Sequence, residues 1–276
     1  DEQGRPASYF TMDDNNIEHI WYFLKRCDEK GWLYLGHRSM PWCWRCGTSL
    51  SQHELIDSYR EQIDPSVYFR CPIHGREREY FLVWTTTPWT LTSNTALAIH
   101  PDMLYAKVRL DGNIYYVLAD RAPAVLPPDA ERLGSVPGRE LLGLTYGGPF
   151  DDLPAQATVN RRTIPWDAIS SEEGTGIVHI APGCGAEDFE LSKQFHLETI
   201  VPIDDNGYFT EGFGSLEGKH VTESAALIRE ALQQKTVLFS WGDYEHRYPM
   251  CWRCKTPLVF RLVDEWFISM GETYDK

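Results

Sequence analysis

The sequence predicts an α+β fold in which strands dominate, on three observations. Residues 79–118 hold apolar, β-branched or aromatic runs at 80–86, 95–99, 104–110 and 113–119, separated by short turns. Residues 121–170 are rich in Pro and Gly with only short strand-like pieces, which suits a barrel or curved sheet decorated with loops. Helical spacing is confined to three segments.

The first helix has Asp13 or Asp14 as its cap, apolar positions Ile17, Ile20, Trp21, Leu24 and Cys27 on one face, and Gly31 as its stop. Between the strands at 104–110 and 113–119, Asp111-Gly112 is a strong hairpin signal. A further strand at 176–180 runs into the loop Ala181-Pro182-Gly183-Cys184-Gly185, and a helix follows over 187–195. The last helix covers 223–234, with Ala226, Leu227, Ile228, Ala231 and Leu232 apolar.

A chain of 276 residues, 42% hydrophobic, can bury a sizeable core in one large domain or two smaller ones. Its formal net charge of -14 argues against generic, charge-driven binding of nucleic acid. It leaves room for a small basic patch, for which Arg161-Arg162 and the Arg76/Arg78 pair are candidates, docking one end of an RNA. No apolar run approaches the ~20 residues that span a bilayer. The opening Asp1-Glu2-Gln3-Gly4 carries neither a basic start nor an apolar stretch, so a cytosolic monomer without membrane contact is expected.

The two ends of the chain echo each other. His37-Arg38-Ser39-Met40-Pro41-Trp42-Cys43-Trp44-Arg45-Cys46-Gly47-Thr48 resembles His246-Arg247-Tyr248-Pro249-Met250-Cys251-Trp252-Arg253-Cys254-Lys255-Thr256. Two Cys-x-x-Cys turns together offer the four thiolates of a structural zinc site, and Cys43, Cys46, Cys251 and Cys254 complete one. A rival set joins Cys43 and Cys46 to Cys71 and His74, and no metal at all is the third alternative. A zinc deaminase is disfavoured, because no His-x-Glu precedes either pair in the required arrangement. Knuckles flanking everything else imply an inserted body. The expected parts are a helix and first knuckle (1–50), the body (51–240), and a second knuckle with a return strand (241–276).

Two stretches carry chemistry. Trp84-Thr85-Thr86-Thr87-Pro88-Trp89-Thr90-Leu91 sets methyls and hydroxyls side by side at a strand end, a surface able to press on a small aliphatic group while positioning a polar one. Taken alone, three threonines are also ordinary strand residues. In 174–189, His179 ends a strand and Asp188 opens a helix, where a first-turn acid or cap is the plain explanation. The alternative is an anion that holds an ammonium group. Cys184 with His179 would make a thiol hydrolase, but no third orienting group is evident.

Together, 84–91, Ser93-Asn94-Thr95-Ala96-Leu97-Ala98-Ile99-His100-Pro101 and 174–189 resemble the editing insertion of class I aminoacyl-tRNA synthetases, in its isoleucyl form, over about 10–269. The resemblance implies a partly closed β-barrel with peripheral helices on a zinc-knuckle stalk. It implies hydrolysis of the valyl ester on the 3′ end of tRNA(Ile), with valyl-adenylate as a further possible substrate and isoleucine excluded by size. Thr85, Thr86 and Thr87 would form one wall, His179 would limit depth, Asp188 would grip the α-ammonium group, and Trp84 and Asn94 would be further substrate contacts. The family's ATP-binding signatures, of His-Ile-Gly-His and Lys-Met-Ser-Lys-Ser type, are absent from the sequence. No aminoacylation is therefore expected of this chain without the remainder of a parent synthetase. Another reading keeps the zinc clamp and the aminoacyl end but no hydrolysis.

Overall fold

The computed structural model describes residues 9–271. The outermost residues of the expected first and last parts, 1–8 and 272–276, lie outside the described residues. Two compact units result, Asp1–Arg38 with Val263–Lys276, and Ser39–Leu262; both cysteine knuckles fall in the larger.

The smaller unit is built on α1 (Asp14–Glu29). Asp13 caps it, its side chain accepting from the Asn15 N–H at 3.0 Å. Gly31 lies just beyond, in the left-handed conformation. The predicted apolar stripe forms the helix, yet of its five residues only Cys27 is buried, and Trp21 is 67% exposed.

Strands β1 (Leu33–Cys43) and β2 (Thr48–Ser49) and the short helix α2 (Gln52–Leu55) lead into β3 (Tyr59–Pro72), the longest strand. There follow β4 (Glu79–Thr85), β5 (Ala96–Ile99), β6 (Leu104–Leu110), β7 (Asn113–Leu118), the turn of helix α3 (Ala122–Val125) and β8 (Glu131–Pro137). The rest is β9 (Arg162–Pro165), β10 (Ile177–Ile180), α4 (Ala186–Phe195), α5 (Ser224–Gln234), β11 (Leu238–Pro249) and β12 (Val259–Ile268). The elements that the sequence predicts match these bounds to within a residue or two, while the long strands β1, β3 and β11 are not among them. Asp111 and Gly112 both have positive φ, the conformation a two-residue hairpin requires, and Leu110 pairs with Asn113.

The centre of the sheet is β4. Antiparallel β3 occupies one whole edge of it. The other edge is shared in parallel by β7, opposite Glu79–Phe81, and β10, opposite Trp84. From there one branch continues β7-β6-β8 and the other β10-β5-β9. Bridges from Arg162 to Thr145 and from Tyr146 to Ile73 then return the β9 edge to the chain just past β3. The sheet thus curls into a partly closed barrel, as expected. Residues 59–66 of β3 pair only with β11, so this two-stranded ribbon runs past the barrel to the second knuckle.

Burial on both faces explains the uninterrupted apolar run of β4. Leu82 packs with Ala106, Val108, Tyr115 and Val117 beneath Ala122 and Leu126, while Phe81 meets the Tyr146 ring edge-on. On the β5–β10 side, Ala96, Ala98, Ile164 and Ile180 support Leu191 of α4. Among the described residues, no helix is long and apolar enough to cross a membrane.

Candidate active site

β4 ends at Thr85, and Pro88 opens a 3₁₀ turn over Pro88–Ser93 instead of merely stopping the ladder. The turn folds the threonines onto themselves. Thr85 Oγ1 accepts the Thr87 N–H at 3.1 Å and lies 3.2 Å from Thr87 Oγ1. Thr90 Oγ1 donates to the Thr87 carbonyl at 2.8 Å. Thr86 alone of the three has a hydroxyl with no protein partner among the described residues.

Across from this loop, β10 delivers His179. Its Nε2 lies 3.0 Å from Thr90 Oγ1 and its Nδ1 lies 2.9 Å from Asn94 Nδ2. Burial pushes the ring's pKa down to about 4. The ring is thus neutral with both nitrogens occupied, a wall and not a base. Asn94 is wholly buried behind it, donating also to the Ala96 carbonyl and accepting from the Tyr146 hydroxyl at 2.8 Å. Expected as a substrate contact, Asn94 instead supports His179, because its polar groups are already engaged inside the protein.

Asp188 stands at the third position of α4, whose N-cap is Gly185. It does not cap its own helix: Oδ2 reaches back to accept the Ala181 N–H at 2.7 Å. Burial raises its pKa to about 6, and among the described residues no cationic side chain pairs with it. A carboxylate held this way in poor solvent has no counter-charge of its own and can accept a cation. Two glycines shape the same segment. Gly176 has φ +72°, and a Cβ there would come within 2.4 Å of Leu118 Cβ; one on Gly183 would meet the Ile200 carbonyl oxygen at 2.0 Å.

Trp84, Thr85, Thr86, Thr87, His179 and Asp188 all line one cavity of ≈ 370 Å³. Trp84 is fixed by its indole N–H, which donates to Ser66 Oγ at 2.9 Å. Thr90, Trp166, Ser170 and Glu173 line the cavity too and were not singled out from sequence. Thr90 lies inside the threonine motif, but only the 3₁₀ turn shows that it faces His179; the others sit in a loop with no periodicity. Cys184 also reaches the cavity, with burial and then the Asp188 charge pushing its thiol far up. Neither nitrogen of His179 serves it, which overturns the thiol-hydrolase alternative. Arg161 is a second correction: it is buried, bonded to Gln156, and forms no surface patch.

The four knuckle cysteines converge as expected, all four Sγ atoms within 4.8 Å of one another. Cys43 Sγ lies 3.5 Å from Cys254 Sγ and Cys46 Sγ 3.9 Å from Cys251 Sγ, too far for disulfides. A tetrahedral zinc with bonds of about 2.3 Å sets its sulfurs about 3.8 Å apart, so the donor set fits that ion. The rival set is not assembled: Cys71 is buried in β3, and His74 takes part in no such group among the described residues.

Solved structures and sequence relatives agree with this architecture. The fold is similar to the crystal structure of GlLeuRS-CP1 (TM-score 0.53, 13% identity, covering 66% of this chain and 99% of that one). It is also similar to the P. falciparum cytosolic leucyl-tRNA synthetase editing domain (TM-score 0.50, 11% identity, 65% and 99%). At such identities the likeness is one of fold. The family of class I tRNA synthetases (I, L, M and V) matches residues 6–276, and the chain belongs to it. Within that family it is similar to the isoleucine–tRNA ligases of Pyrococcus abyssi (42% identical, 97% of this chain, 26% of that protein) and Methanothermobacter thermautotrophicus (43%, 97% and 25%). The chain spans about a quarter of the length of these relatives.

Proposed function

We propose that the cavity hydrolyses misacylated tRNA, releasing valine from the 3′ end of tRNA(Ile) and sparing isoleucine. The observation that carries this reading is Asp188, a desolvated carboxylate without a protein cation in the cavity walled by Thr85–Thr87 and His179. An α-ammonium group supplies the missing charge and orients the ester. The amino-acid side chain then lies against threonine methyls and the His179 ring. One methylene is worth about 1–3 kcal/mol in an apolar pocket, a limit known from isoleucyl-tRNA synthetases themselves, so a second, smaller sieve is useful.

Water adds to the ester carbonyl, the acyl–oxygen bond breaks, and the ribose oxygen leaves with a proton. Threonine hydroxyls are poor bases and His179 has no free nitrogen, so these residues position and exclude. The unengaged Thr86 hydroxyl is the wall's contact for the water or the ester oxygen. Zinc held by Cys43, Cys46, Cys251 and Cys254 would tie the two knuckles together as a structural ion. The remaining parts of a longer synthetase would hold the body of the tRNA and cover the exposed face of α1; cytosolic residence follows from the same reading.

Incubation with valyl-tRNA(Ile) tests hydrolysis against mere binding. Released valine is the expected result. A stable complex with the ester intact would favour the zinc-clamped binding module.

A further inference from the structure

We propose that Thr90 and Tyr146 are positioning residues: through Asn94 and His179 they form one hydrogen-bonded strap that fixes the histidine's tautomer and ties it to the threonine wall. The consequence for selectivity rests on the editing reading above; the geometry rests on hydrogen-bond directions alone.

Asn94 fits in one orientation only. The atom 3.0 Å from the Ala96 carbonyl must be its nitrogen, since a carbonyl has no hydrogen to give. That nitrogen's second hydrogen points to His179 Nδ1 at 2.9 Å, so Nδ1 carries the lone pair. Nε2 therefore bears the ring's hydrogen. Its neighbour at 3.0 Å, Thr90 Oγ1, has given its own hydrogen to the Thr87 carbonyl at 2.8 Å and is free to accept. At the other end Tyr146, 1% exposed, donates to Asn94 Oδ1 at 2.8 Å. A flipped amide would set oxygen against the Ala96 carbonyl and leave the Tyr146 hydroxyl facing hydrogens.

Each polar atom from Tyr146 to Thr87 thus has one role. Turning the His179 ring means breaking bonds at both of its nitrogens. The distance from the histidine wall to the threonine wall, which decides whether one extra methylene fits, is set by Thr90 and not by the ring alone. Tyr146 reaches the cavity only through Asn94.

The test pairs ring-nitrogen NMR of histidine-labelled protein with hydrolysis of valyl- and isoleucyl-tRNA(Ile). Wild type and Thr90→Ser should show His179 as a single Nε2–H tautomer. Thr90→Val and Tyr146→Phe should keep that tautomer, which Asn94 fixes through the Ala96 carbonyl, but shift and broaden the ring-nitrogen signals as the histidine loses one of its two ties or the amide behind it loosens. Thr90→Val should lower the preference for the valyl ester about tenfold, the equivalent of one hydrogen bond, and Thr90→Ser should restore it. Equal melting temperatures exclude a folding defect. Ring-nitrogen signals identical to wild type in both Thr90→Val and Tyr146→Phe, or an unchanged preference in a folded Thr90→Val, overturns the proposal. If wild type releases no amino acid from either ester, the editing reading fails while the ring signals still decide the strap.

Discussion

The threonine pocket and the cysteine knuckles solve opposite problems. In the pocket, nearly every polar atom already has a protein partner: Thr85, Thr87, Thr90, His179 and Asn94 satisfy one another. Among the described residues, what lacks a counter-charge there is the Asp188 carboxylate, bonded only to the Ala181 N–H, and what lacks a partner is the Thr86 hydroxyl. In the knuckles four thiols converge on one point, with the Cys46 N–H and the Thr256 hydroxyl beside them. The first arrangement is finished without a ligand and advertises the ligand's charge. The second is a donor set that a structural zinc would complete.

Removing that zinc should have the largest effect. Chelation, or Cys251→Ser, is expected to cost several kcal/mol, because metal held by preformed thiolates is folding free energy. Metal analysis should give one zinc per chain before treatment. A melting temperature unmoved by chelation would leave the knuckles as metal-free packing.

Next comes Asp188→Asn. Losing one partner of a desolvated charge pair costs about 2–5 kcal/mol, so kcat/KM for valyl-tRNA(Ile) should fall about 30- to 5,000-fold. Gly176→Ala combines a left-handed backbone with a Cβ 2.4 Å from Leu118 Cβ and should destabilise by about 2–4 kcal/mol in denaturant titration.

Acid titration separates the pocket's two ionisable walls. His179, held down at about 4, stays neutral while its unfolded counterpart protonates below about 6.5, so this group's stability is lost as pH falls from 6.5 to 4. Asp188, raised to about 6, keeps its proton while the unfolded acid ionises above 3.8, so its contribution falls as pH rises from 3.8 to 6. The two slopes oppose each other over nearly the same window. Asp188→Asn should uncover the histidine slope and make stability rise more steeply with pH; an unaltered profile would contradict the raised pKa of this half-buried carboxylate.

The smallest effect lies in the knuckles. Gly47 and Lys255 occupy equivalent left-handed positions, φ +65° and +61°, each donating its N–H to the first cysteine of its turn. Lys255→Gly should stabilise the second turn by about 1 kcal/mol, and a destabilised variant would mean that the Lys255 ammonium, which donates to the Trp252 carbonyl at 2.6 Å, matters more.

The strands of 79–118, the three helices and the two Cys-x-x-Cys turns were legible in sequence because each rests on local chemistry: alternation and turn residues for Asp111-Gly112, ligand type and spacing for Cys43 and Cys251. The long ribbon of β3 and β11, and the choice of Cys251 and Cys254 over Cys71 and His74, needed the structure. Pocket membership was legible for Thr85–Thr87, His179 and Asp188 only through the resemblance to a known family. The strap was not. Tyr146 and Asn94 are 52 residues apart, and nothing in either neighbourhood signals a hydrogen bond that exists only once β5 and β10 pair and the sheet curls. The α1 stripe erred the other way: periodicity predicts a helix and says nothing of what covers it.

The most direct test of the size-gated pocket compares initial rates of amino-acid release from valyl- and isoleucyl-tRNA(Ile) for wild type and His179→Ala. Wild type should release valine and spare isoleucine, and the variant, with its wall removed, should release both. If His179→Ala spares isoleucine as wild type does, or if wild type attacks both esters alike, the histidine wall is not the sieve.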